Sequence, residues 1–384
     1  VVTNFAGSGS GGSTDATGTA AKFDYPSGIT TDGTNLYVVD HFNHTIRKIV
    51  ISTGVVTTLA GSAGSSGSTD GTGTAAKFYK PIEVIFVGGN LYVADTFNNK
   101  IRKIVISTGV VTTLAGSTQG FQDGTGTSAK FYKPRQITSD GTNLYVGDHL
   151  NHKIRKIVIS TGAVTTLAGS GAGFQNGTGT AASFDKPMGI TTDGTNLYVA
   201  EYNNHTIRKI VISSGVVTTF AGSTSSGSTD ATGTSAKFKN PRGITTDGTN
   251  LYVTDQSMIR KVVISTGVVT TLAGASGQTA STDGTGTNAR FHTPSGITTD
   301  GTNLYVADKS GHTIRKVVIS SGVVTTIAGS GSHGSDDGTG TSASFGQPYG
   351  ITTDGINLYV AEKEAHRIRK IVISSGVVTK VAGT

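Results

Sequence analysis

The sequence contains no cysteine and is poor in charge, methionine and proline. Among 384 residues there are 0 Cys, 2 Met and 7 Pro, and charged residues make up 14%. The absence of cysteine excludes disulfides and thiolate metal sites, although it does not fix the cellular compartment. No helical apolar period is present, and no apolar run approaches the roughly 18 residues that a membrane-spanning helix needs. Composition therefore predicts neither a membrane span nor a helical domain.

The few prolines mark an internal repeat. They are Pro26, Pro81, Pro134, Pro187, Pro241, Pro294 and Pro348, separated by 53 to 55 residues. Each lies near the start of a near-identical copy of one segment. We number the copies one to seven in chain order and count the residues just before each proline with the copy that follows. A fixed period of this size indicates a repeat architecture. We expect specificity to lie where the copies differ.

One copy has the pattern of four antiparallel strands. Val, Ile, Thr and Tyr fill its periodic runs, and these residues favour strands. In copy one we predict the first to fourth strands at Gly28–Asp32, Asn35–Asp40, Thr45–Ser52 and Val55–Ala60. Asp32 and Gly33 form a hairpin signal, because glycine accepts a positive φ and aspartate caps the turn. Four short strands per unit, none stable alone, are typical of a propeller blade.

The connection between copies is rich in glycine and serine. Thr74 is placed to cap a single helical turn through Ala75–Phe78. One phenylalanine recurs in every connector: Phe23, Phe78, Phe131, Phe184, Phe238, Phe291 and Phe345. We predict that this aromatic ring is a plug packed between neighbouring blades.

The repeated motifs resemble those of a known family. The stretch P-x-G-I, N-L-Y-V-A-D and N-H-x-I-R-K resembles the NHL repeat over essentially the whole chain, and the D-G-x-G-x-x-A-x-F-x-x-P connector resembles that of tandem bacterial NHL proteins. NHL propellers often have six blades, whereas this chain has seven copies. The prediction is an all-β fold, a seven-bladed β-propeller of four-stranded antiparallel blades, in one domain covering residues 1–384.

Both ends of the chain carry a further copy of the fourth strand. These are Val1–Ser8 and Val377–Thr384, so one terminal strand is surplus. We expect either of them to close the seventh blade, or the domain to be a slice of a longer array. An uncovered strand edge would invite pairing with another chain. Self-association through a terminal strand is therefore a further prediction.

The formal charge of +7 does not point to nucleic acid. Fourteen of the 31 Lys and Arg belong to one repeated pair that follows the second strand: Arg47/Lys48, Arg102/Lys103, Arg155/Lys156, Arg208/Lys209, Arg260/Lys261, Arg315/Lys316 and Arg369/Lys370. The repeat spreads these cations along the chain, and there is no basic run or aromatic RNA-binding signature. We do not expect nucleic acid as a partner.

An acid ends each second strand and precedes the repeated arginine. The acids are Asp40, Asp95, Asp148, Glu201, Asp255, Asp308 and Glu362, and their arginines are Arg47, Arg102, Arg155, Arg208, Arg260, Arg315 and Arg369. A hairpin brings the second and third strands side by side, so we predict a structural acid–arginine latch. The alternative, a ring of carboxylates that binds cations, is disfavoured because every acid has a cation nearby in sequence.

No catalytic constellation is visible. The loop histidines, such as His44 and His152, recur as parts of the repeat, and we expect them to hydrogen-bond to backbone. The D-G-T-G connectors lack the further carboxylates of a calcium loop, so we interpret them as capped turns. No set of His, Asp and Glu has metal-site spacing, and no nucleophile elbow or phosphate loop occurs. We predict no catalytic residue, no metal and no cofactor.

The copies differ in the loop after the second strand and around the proline. Aromatic residues are concentrated in the first four copies, and exposed aromatics mark binding surfaces. The predicted binding residues are Phe42, Phe97, Leu150, Tyr202, Tyr25, Tyr79, Tyr132, Phe121, Phe174, Glu83, Arg135, Arg242 and Tyr349. Neutral drift in recently copied loops is the alternative explanation of this variation.

The sequence thus predicts a non-enzymatic binding or scaffold propeller. The expected partner is a protein, with a glycan as the second choice, and it would be engaged through the variable loops. The alternatives are a structural assembly unit of a bacterial surface or extracellular polymer, and a metal-dependent propeller lyase or hydrolase. The sequence starts at Val1 without an initiator methionine, so we expect a processed product or an excised domain. Composition favours a secreted or cell-surface location.

Overall fold

The computed structural model describes residues 2–374. Their regular structure consists of strands and three-residue 3-10 turns. No helix in this part of the chain is long and apolar enough to span a membrane. The strands form seven antiparallel sheets, one for each copy. The prediction of an all-β, seven-bladed propeller is confirmed.

In copies one to six the four predicted strands occur within one or two residues of the bounds expected from copy one, and in copy seven the structure describes the first three. The first strands are Pro26–Thr31, Glu83–Val87, Pro134–Ser139, Pro187–Thr192, Pro241–Thr246, Pro294–Thr299 and Pro348–Thr353. The second strands are Asn35–Asp40, Asn90–Asp95, Asn143–Asp148, Asn196–Glu201, Asn250–Asp255, Asn303–Asp308 and Asn357–Glu362. The third strands are Thr45–Val50, Lys100–Val105, Lys153–Val158, Thr206–Val211, Met258–Val263, Thr313–Val318 and Arg367–Val372. The fourth strands of copies one to six are Val55–Ala60, Val110–Ala115, Ala163–Ala168, Val216–Gly222, Val268–Gly274 and Val323–Ala328.

The connectors contain structure that the sequence pattern does not predict. Six of the sheets have a fifth strand of two residues, which pairs with the start of the fourth strand: Ala16–Thr17, Gly71–Thr72, Gly124–Thr125, Gly177–Thr178, Ala231–Thr232 and Gly284–Thr285. A 3-10 turn occurs in each connector, at Gly18–Ala20, Gly73–Ala75, Gly126–Ser128, Gly179–Ala181, Gly233–Ser235, Gly286–Asn288 and Gly340–Ser342. Two more follow second strands, at Thr96–Asn98 and His149–Asn151. The predicted turn through Ala75–Phe78 is therefore wrong by two residues, and Thr72 precedes it without a side-chain cap.

The N-terminal strand completes the seventh blade. Val2–Ala6 pairs antiparallel with Arg367–Val372, and Phe5 is buried against Phe23 and Tyr359. The register of this pair shifts between Asn4 and Ala6, as it does in the fourth strand of other copies. The competing copy of this strand, residues 377–384, lies outside the described residues. Of the two closures predicted, the structure has the N-terminal one.

The described residues divide into two compact units, each built from stacked sheets. The first contains the described residues up to Asp95, Arg102–Thr112 and those from Thr279 onward, and the second contains Thr96–Ile101 and Thr113–Gln278. Within the first unit, Phe78 packs against Tyr37 of copy one and Leu91 of copy two. Within the second, Phe184 packs against Tyr145 and Leu197. The connector phenylalanine therefore lies between the second strands of neighbouring copies, as predicted.

Neighbouring first strands approach so closely that one position in the repeat favours glycine. The Gly28 N–H donates to the Ile82 carbonyl at 3.1 Å, and a Cβ on Gly28 would lie only 2.7 Å from that oxygen. A Cβ on Gly350 would lie 2.3 Å from the Ser27 carbonyl. This contact explains the glycine of the P-x-G motif. In copy two the same position is Glu83, one of the predicted binding residues.

Candidate binding surface in the variable loops

The acid that ends the second strand pairs with the arginine of the third strand. The Asp40 Oδ2 atom lies 2.9 Å from Arg47 Nη1, and both side chains are fully buried. Hairpin register causes this, since Asp40 faces Thr45 and Val38 faces Arg47 across the two strands. The same pair occurs as Asp95–Arg102, Asp148–Arg155, Glu201–Arg208, Asp255–Arg260, Asp308–Arg315 and Glu362–Arg369, at 2.9 to 3.6 Å. That these pairs act as latches stays a prediction, which a stability measurement tests.

The arginine also holds the connector. Arg47 Nη2 lies 2.6 Å from Asp15 Oδ1 of the connector, and Arg47 Nη1 donates to the Lys22 carbonyl at 2.7 Å. Its guanidinium carbon lies 4.9 Å from the centroid of the Phe23 ring. Asp15 belongs to the D-A-T-G segment, and in copy four Asn176 takes the corresponding place on Arg208. The connector acids thus bind arginine, which fits their interpretation as structural turns.

The buried acid also accepts a backbone N–H from the segment before the first strand, which the sequence does not predict, and a bond from the loop asparagine, as expected of the Asn-His turn. The Asp40 Oδ1 atom accepts the Asp24 N–H at 2.6 Å, and Asn43 Nδ2 donates to Asp40 Oδ2 at 2.8 Å. Burial raises the pKa of Asp40 to about 7, although the Arg47 charge opposes this rise. In every copy the acid accepts the N–H two residues before the proline. The acid therefore ties the segment before the first strand to the loop after the second.

In five of the seven copies a loop histidine accepts the N–H of the residue before a neighbouring proline. The residue before each proline has a left-handed backbone, with φ of 46° at Lys80 and 60° at Tyr25. The Lys80 N–H donates to His44 Nδ1 at 3.1 Å, and the Tyr25 N–H donates to His366 Nδ1 at 3.1 Å. Burial lowers the pKa of His44, which favours the neutral ring whose Nδ1 can accept. In copy two Asn99 Oδ1 accepts the equivalent bond from Lys133 at 2.9 Å.

The first residue after the acid binds the carbonyl of the next proline. His41 Nδ1 lies 2.8 Å from the Pro81 carbonyl, and Thr96 Oγ1 donates to Pro134 at 2.7 Å. His149 Nδ1 lies 3.2 Å from the Pro187 carbonyl. A carbonyl only accepts, so each imidazole carries its proton on Nδ1. Different side chains meet the same requirement, which leaves this position free to vary.

The second residue after the acid is aromatic in two copies, as Phe42 and Phe97. Phe42 is 40% exposed, and Tyr79, which precedes the next proline, is also exposed at 37%. The half-buried members of the predicted set are Tyr25, Glu83, Phe97, Tyr132, Arg135, Leu150, Tyr202, Arg242 and Tyr349. The loops therefore present part of the predicted set to solvent and keep the rest at the boundary of the core.

Cations of the following copy cover these rings. Lys80 Nζ lies 5.0 Å from the Phe42 centroid, and Lys133 Nζ lies 4.3 Å from that of Phe97. The Arg242 guanidinium carbon lies 4.9 Å from the Tyr202 ring, and its Nη2 donates to the Tyr202 hydroxyl at 3.3 Å. Cation–π contacts of this kind hold both groups in place. The sequence analysis named the aromatics but missed the lysines, which the regular offset from acid to proline could have identified.

One group of loop residues in the first unit forms a continuous contact set, which we call the Tyr25 cluster. Its members are Tyr25, His41, Phe42, Lys80, Tyr349 and Lys363. The Phe42 ring lies 5.1 Å from Tyr25 and 4.8 Å from His41. Lys363 Nζ lies 3.1 Å from the Tyr349 centroid and 5.4 Å from that of Tyr25. An ammonium group therefore lies beside each ring of the tilted Tyr25–Phe42 pair.

Two of the predicted binding aromatics have a different environment. The centroid of the Phe121 ring lies 5.1 Å from the guanidinium carbon of Arg155. The Phe131 ring centroid lies 4.9 Å from the same carbon. Phe174 and Phe184 enclose Arg208 in the same way, at 4.8 and 5.0 Å. Each connector ring thus covers a buried arginine rather than joining the loops after the second strand. Phe121 and Phe174 are nevertheless 48% and 38% exposed, so their role in binding stays a prediction.

Sequence comparison agrees with this architecture. A family model of the teneurin NHL domain matches residues 65–287, which is more than half of the chain. The chain belongs to the NHL family. "NHL repeat-containing protein 2" from Gallus gallus is 28% identical to this NHL chain over 333 residues, covering 76% of it and 46% of the chicken protein. "Protein SUPPRESSOR OF QUENCHING 1, chloroplastic" from Arabidopsis thaliana is 28% identical over 327 residues, covering 78% and 31%.

The NHL chain spans about half the length, or less, of these curated relatives. Among solved structures, a streptogramin B lyase superposes with a TM-score of 0.58 at 14% identity, covering 91% of this chain and 94% of that one. An auxiliary nutrient binding protein from Bacteroides thetaiotaomicron VPI-5482 superposes with a TM-score of 0.56 at 18% identity, covering 87% and 85%. At these identities the likeness shows the fold alone. The bacterial origin expected from the connectors stays a prediction.

Proposed function

We propose that this domain is a non-catalytic binding propeller that engages a partner protein through the loops after the second strands and before the first strands. The observation that carries the proposal is the repeated pairing of an outward aromatic ring with a cation of the next copy, as in Phe42 with Lys80. Rings and cationic stems held in fixed positions supply contact area at low entropic cost. Aromatic residues and arginine are also the residue types enriched at protein interfaces.

The internal structure of the repeat supports a division between scaffold and binding loops. Backbone hydrogen bonds to Asp40 and His44 fix the path of the loops, and they depend on residues that recur. Phe42 lies between these fixed points and is exposed. Function resides in sites carried by a fold, so the binding claim rests on the loops and not on the propeller. Among residues 2–374, no group of three or more His, Asp or Glu side chains is arranged to hold a metal ion.

A matched pair of variants tests the proposal. The exposed Phe42 is replaced by Ser in one variant, and Ile356, an exposed apolar residue in the hairpin turn between the first and second strands, is replaced by Ser in the other. Each domain is immobilised and used to capture proteins from the native source, and bound proteins are identified by mass spectrometry. We expect F42S to lose a partner that both wild type and I356S retain.

Equal capture by all three domains would contradict the proposal and favour a structural assembly unit. Concentration-dependent growth of particle size in light scattering would then be the supporting observation for that alternative. Fractionation of the source would test the secreted or cell-surface location, which we propose from composition alone. A glycan partner is the second choice, and glycan-array binding that F42S abolishes would favour it.

A further inference from the structure

Positive charge is concentrated in the variable loops of copies three to five. In each copy we count as loop positions the two residues before the proline, the two after it and the two after the acid. In copies three to five they belong to the second compact unit and contain one acid, Asp185, and five cations, Lys133, Arg135, Lys186, Lys239 and Arg242. In the other four copies they contain three acids, Asp24, Glu83 and Glu364, and three cations, Lys80, Lys309 and Lys363. The excess of cations therefore lies in three consecutive copies.

The single acid of these loops already has partners. Asp185 Oδ1 lies 3.3 Å from His152 Nδ1, and Asn203 Nδ2 donates to Asp185 Oδ2 at 3.1 Å. Within residues 2–374, the side chains of Arg135 and Arg242 form no ion pair. The loops of these copies therefore do not neutralise their own positive charge, and charge complementarity favours a negative partner there.

Arg135 and Arg242 occupy the same position in their copies, directly after the proline that begins the first strand. The first strands of copies three, four and five lie side by side, and the middle one carries the half-buried Met188 at this position. Methionine adapts its shape to a bound ligand. In the remaining copies the position is uncharged: Ser27, Ile82, Ser295 and Tyr349. We call this part of the loops the Arg135 surface, which consists of Arg135, His149, Lys186, Met188, Tyr202 and Arg242.

Arg135 is half-buried and lies beside a neutral histidine. Its Nε atom is buried without a hydrogen-bond partner among the described residues. Burial is the largest influence that lowers the pKa of His149, to about 4, and the charges of Arg135 and Lys186 act in the same direction. Both cations are therefore close to one uncharged imidazole, and neither gains a counter-charge from it.

Arg155 of the same copy shows which group satisfies an enclosed guanidinium. Its Nη1 atom lies 2.9 Å from Asp148 Oδ2, and its Nη2 atom lies 2.7 Å from Asp123 Oδ1. Arginine presents paired N–H donors that match the two oxygens of a carboxylate. A carboxylate supplied by a partner is therefore the group that complements Arg135.

Arg242 is held in position for the same kind of ligand. Its Nη2 atom donates to the Tyr202 hydroxyl at 3.3 Å, and Asn240 Nδ2 donates to the Tyr202 carbonyl at 3.2 Å. The hydroxyl is a neutral group, so this contact leaves the charge of Arg242 in place. A side chain already held in its binding conformation loses little entropy when a ligand arrives.

We propose that the Arg135 surface binds an acidic segment of the partner protein, with one carboxylate paired to the Arg135 guanidinium and the charges of Lys186 and Arg242 attracting others. This inference rests on the proposed protein-binding function and specifies the chemistry of its partner. Single-stranded nucleic acid is disfavoured because bases stack on open ring faces, whereas cations lie over Phe97 and Tyr202.

The test uses the rhodamine-labelled peptide Ser-Glu-Ser-Glu-Ser-Glu-Ser-Glu and its uncharged analogue, in which glutamine replaces glutamate. Fluorescence anisotropy at low salt measures binding to the wild-type domain, R135Q, R135K and K309Q. We expect R135Q to bind the acidic peptide about tenfold more weakly, because charge-assisted hydrogen bonds are lost. R135K should fall between R135Q and wild type, since an ammonium keeps the charge without the paired donors. K309Q removes the same charge from the loops of copy six and should bind as wild type does.

Equal binding of the acidic and uncharged peptides would overturn the proposal, as would unchanged affinity in R135Q. A loss in K309Q as large as that in R135Q would overturn it too, because binding would then depend on overall charge alone. The urea midpoint of R135Q is measured beside that of wild type. If R135Q is unfolded, wild-type affinity in R135K would overturn the proposal.

Two further probes separate the sources of negative charge. Binding of tetragalacturonate or of a uridine oligonucleotide without binding of the peptide would overturn the proposal and favour an acidic glycan or RNA. Capture of a partner that F42S loses, together with no peptide binding, would refute this inference alone. Failure of both experiments would refute the proposed function as well.

Discussion

The Asp-Gly hairpin turns and the variable loops lie at opposite ends of the same second strand, and they are constrained in different ways. In the turn of copy one, Asp32 Oδ1 accepts the N–H groups of Thr34 and Asn35 at 2.8 and 2.6 Å, and its Oδ2 accepts the Tyr37 hydroxyl at 2.7 Å. Both carboxylate oxygens of Asp32 thus accept hydrogen bonds from residues only a few positions away in the chain. A substitution at Asp32 therefore breaks several hydrogen bonds together. The same turn recurs in six copies.

In the variable loops fewer side chains are needed to hold the backbone in place, and different residue types can fill these positions. The requirement after the acid is a donor for the next proline carbonyl, which His41 and Thr96 both supply. The position that follows holds Phe42, Phe97, Leu150 and Asn203 in the first four copies. The side chains of the hairpin turn hydrogen-bond to the backbone of the same turn, so the turn tolerates few substitutions. The path of the variable loop is fixed by residues outside its variable positions, so those positions can change to suit a binding partner.

Copy two provides an exception within the chain that sharpens this comparison. Its hairpin reads V-G-G-N, so Val87 stands where the other copies have aspartate. The first strand still pairs with the second through Val87 and Asn90. The tyrosine that would face the aspartate is Tyr92, which is buried like Tyr37. The fold therefore accepts loss of the Asp–Tyr bond in one copy, which makes its contribution measurable.

The largest loss of stability is expected when the buried ion pair between Asp40 and Arg47 is broken. Arg47→Met should destabilise the domain by about 3–5 kcal/mol, because it leaves the Asp40 carboxylate buried without its cation. Lys48→Met, at the adjacent half-buried position, should stay within about 0.5 kcal/mol. Urea unfolding monitored by circular dichroism checks both. Equal effects of the two substitutions would mean that Asp40 and Arg47 do not act as a latch.

A smaller loss of stability is expected when a hydrogen bond of the hairpin turn is removed, and copy two provides the control. Tyr37→Phe removes the donor to Asp32 and should cost about 1–2 kcal/mol, since hydrogen bonds to charged groups are the stronger class. Tyr92→Phe should change stability by less than about 0.5 kcal/mol, because no aspartate occupies the Val87 position. The urea midpoints of the two variants give the comparison. A loss at Tyr92 as large as that at Tyr37 would contradict the local explanation of the turn.

Substitutions of the loop histidine His44 test whether the loop needs only an acceptor for the Lys80 N–H or needs the imidazole ring itself. His44→Ala should cost about 1 kcal/mol, because the Lys80 N–H loses its acceptor and alanine must adopt a φ near 61°. His44→Asn should be nearly neutral, because Asn99 performs the same role in copy two. Thermal melting of both variants measures the difference. If asparagine were as damaging as alanine, the ring would have a further role.

The smallest effect concerns the pH dependence of one hairpin turn. Partial burial is the largest single influence on the pKa of Asp140 and raises it, but the hydrogen bonds from Asn143, Tyr145 and the Thr142 backbone together outweigh burial and lower the pKa to about 2. A folded pKa below the unfolded value of about 3.9 stabilises the fold above that pH, and the contribution disappears as the pH falls toward 2. Asp140→Asn should therefore cost about 0.5 kcal/mol at pH 7 and less at pH 2. Urea midpoints at both pH values test this, and a constant difference would contradict it.

Much of the fold could be predicted because the same strand patterns occur in all seven copies and the same Asp-Gly turn in six of them. Strand bounds, the hairpin at Asp32 and the buried connector phenylalanines follow from alternation, turn chemistry and the recurrence of each feature. The two-residue strand at Ala16–Thr17 could not be predicted, since nothing in its composition distinguishes it from an irregular connector. It forms because the edge of Val55–Ala60 offers unpaired backbone groups that the connector can reach.

The candidate site was only partly predictable for a related reason. Phe42 and Phe121 are both aromatic residues in variable segments, and no sequence rule separates them. In the structure the Phe42 ring contacts Tyr25, a residue from the segment before the first strand, whereas Phe121 covers the guanidinium of Arg155. The lysines that complete the Tyr25 cluster come from copies two and seven. Contacts between copies decide the function of such residues, and they are not encoded within any single copy.

The sequence by itself determined the class of fold, the number of blades and the residues that each blade must bury, because these follow from local periodicity repeated seven times. Tertiary structure decided that the N-terminal strand closes the seventh blade, since both terminal segments carry the same pattern and only pairing with Arg367–Val372 selects one. It also decided which rings lie beside cations of the variable loops and which cover a buried arginine. Those outcomes depend on distances between side chains far apart in the chain, and a repeated local pattern carries no information about them.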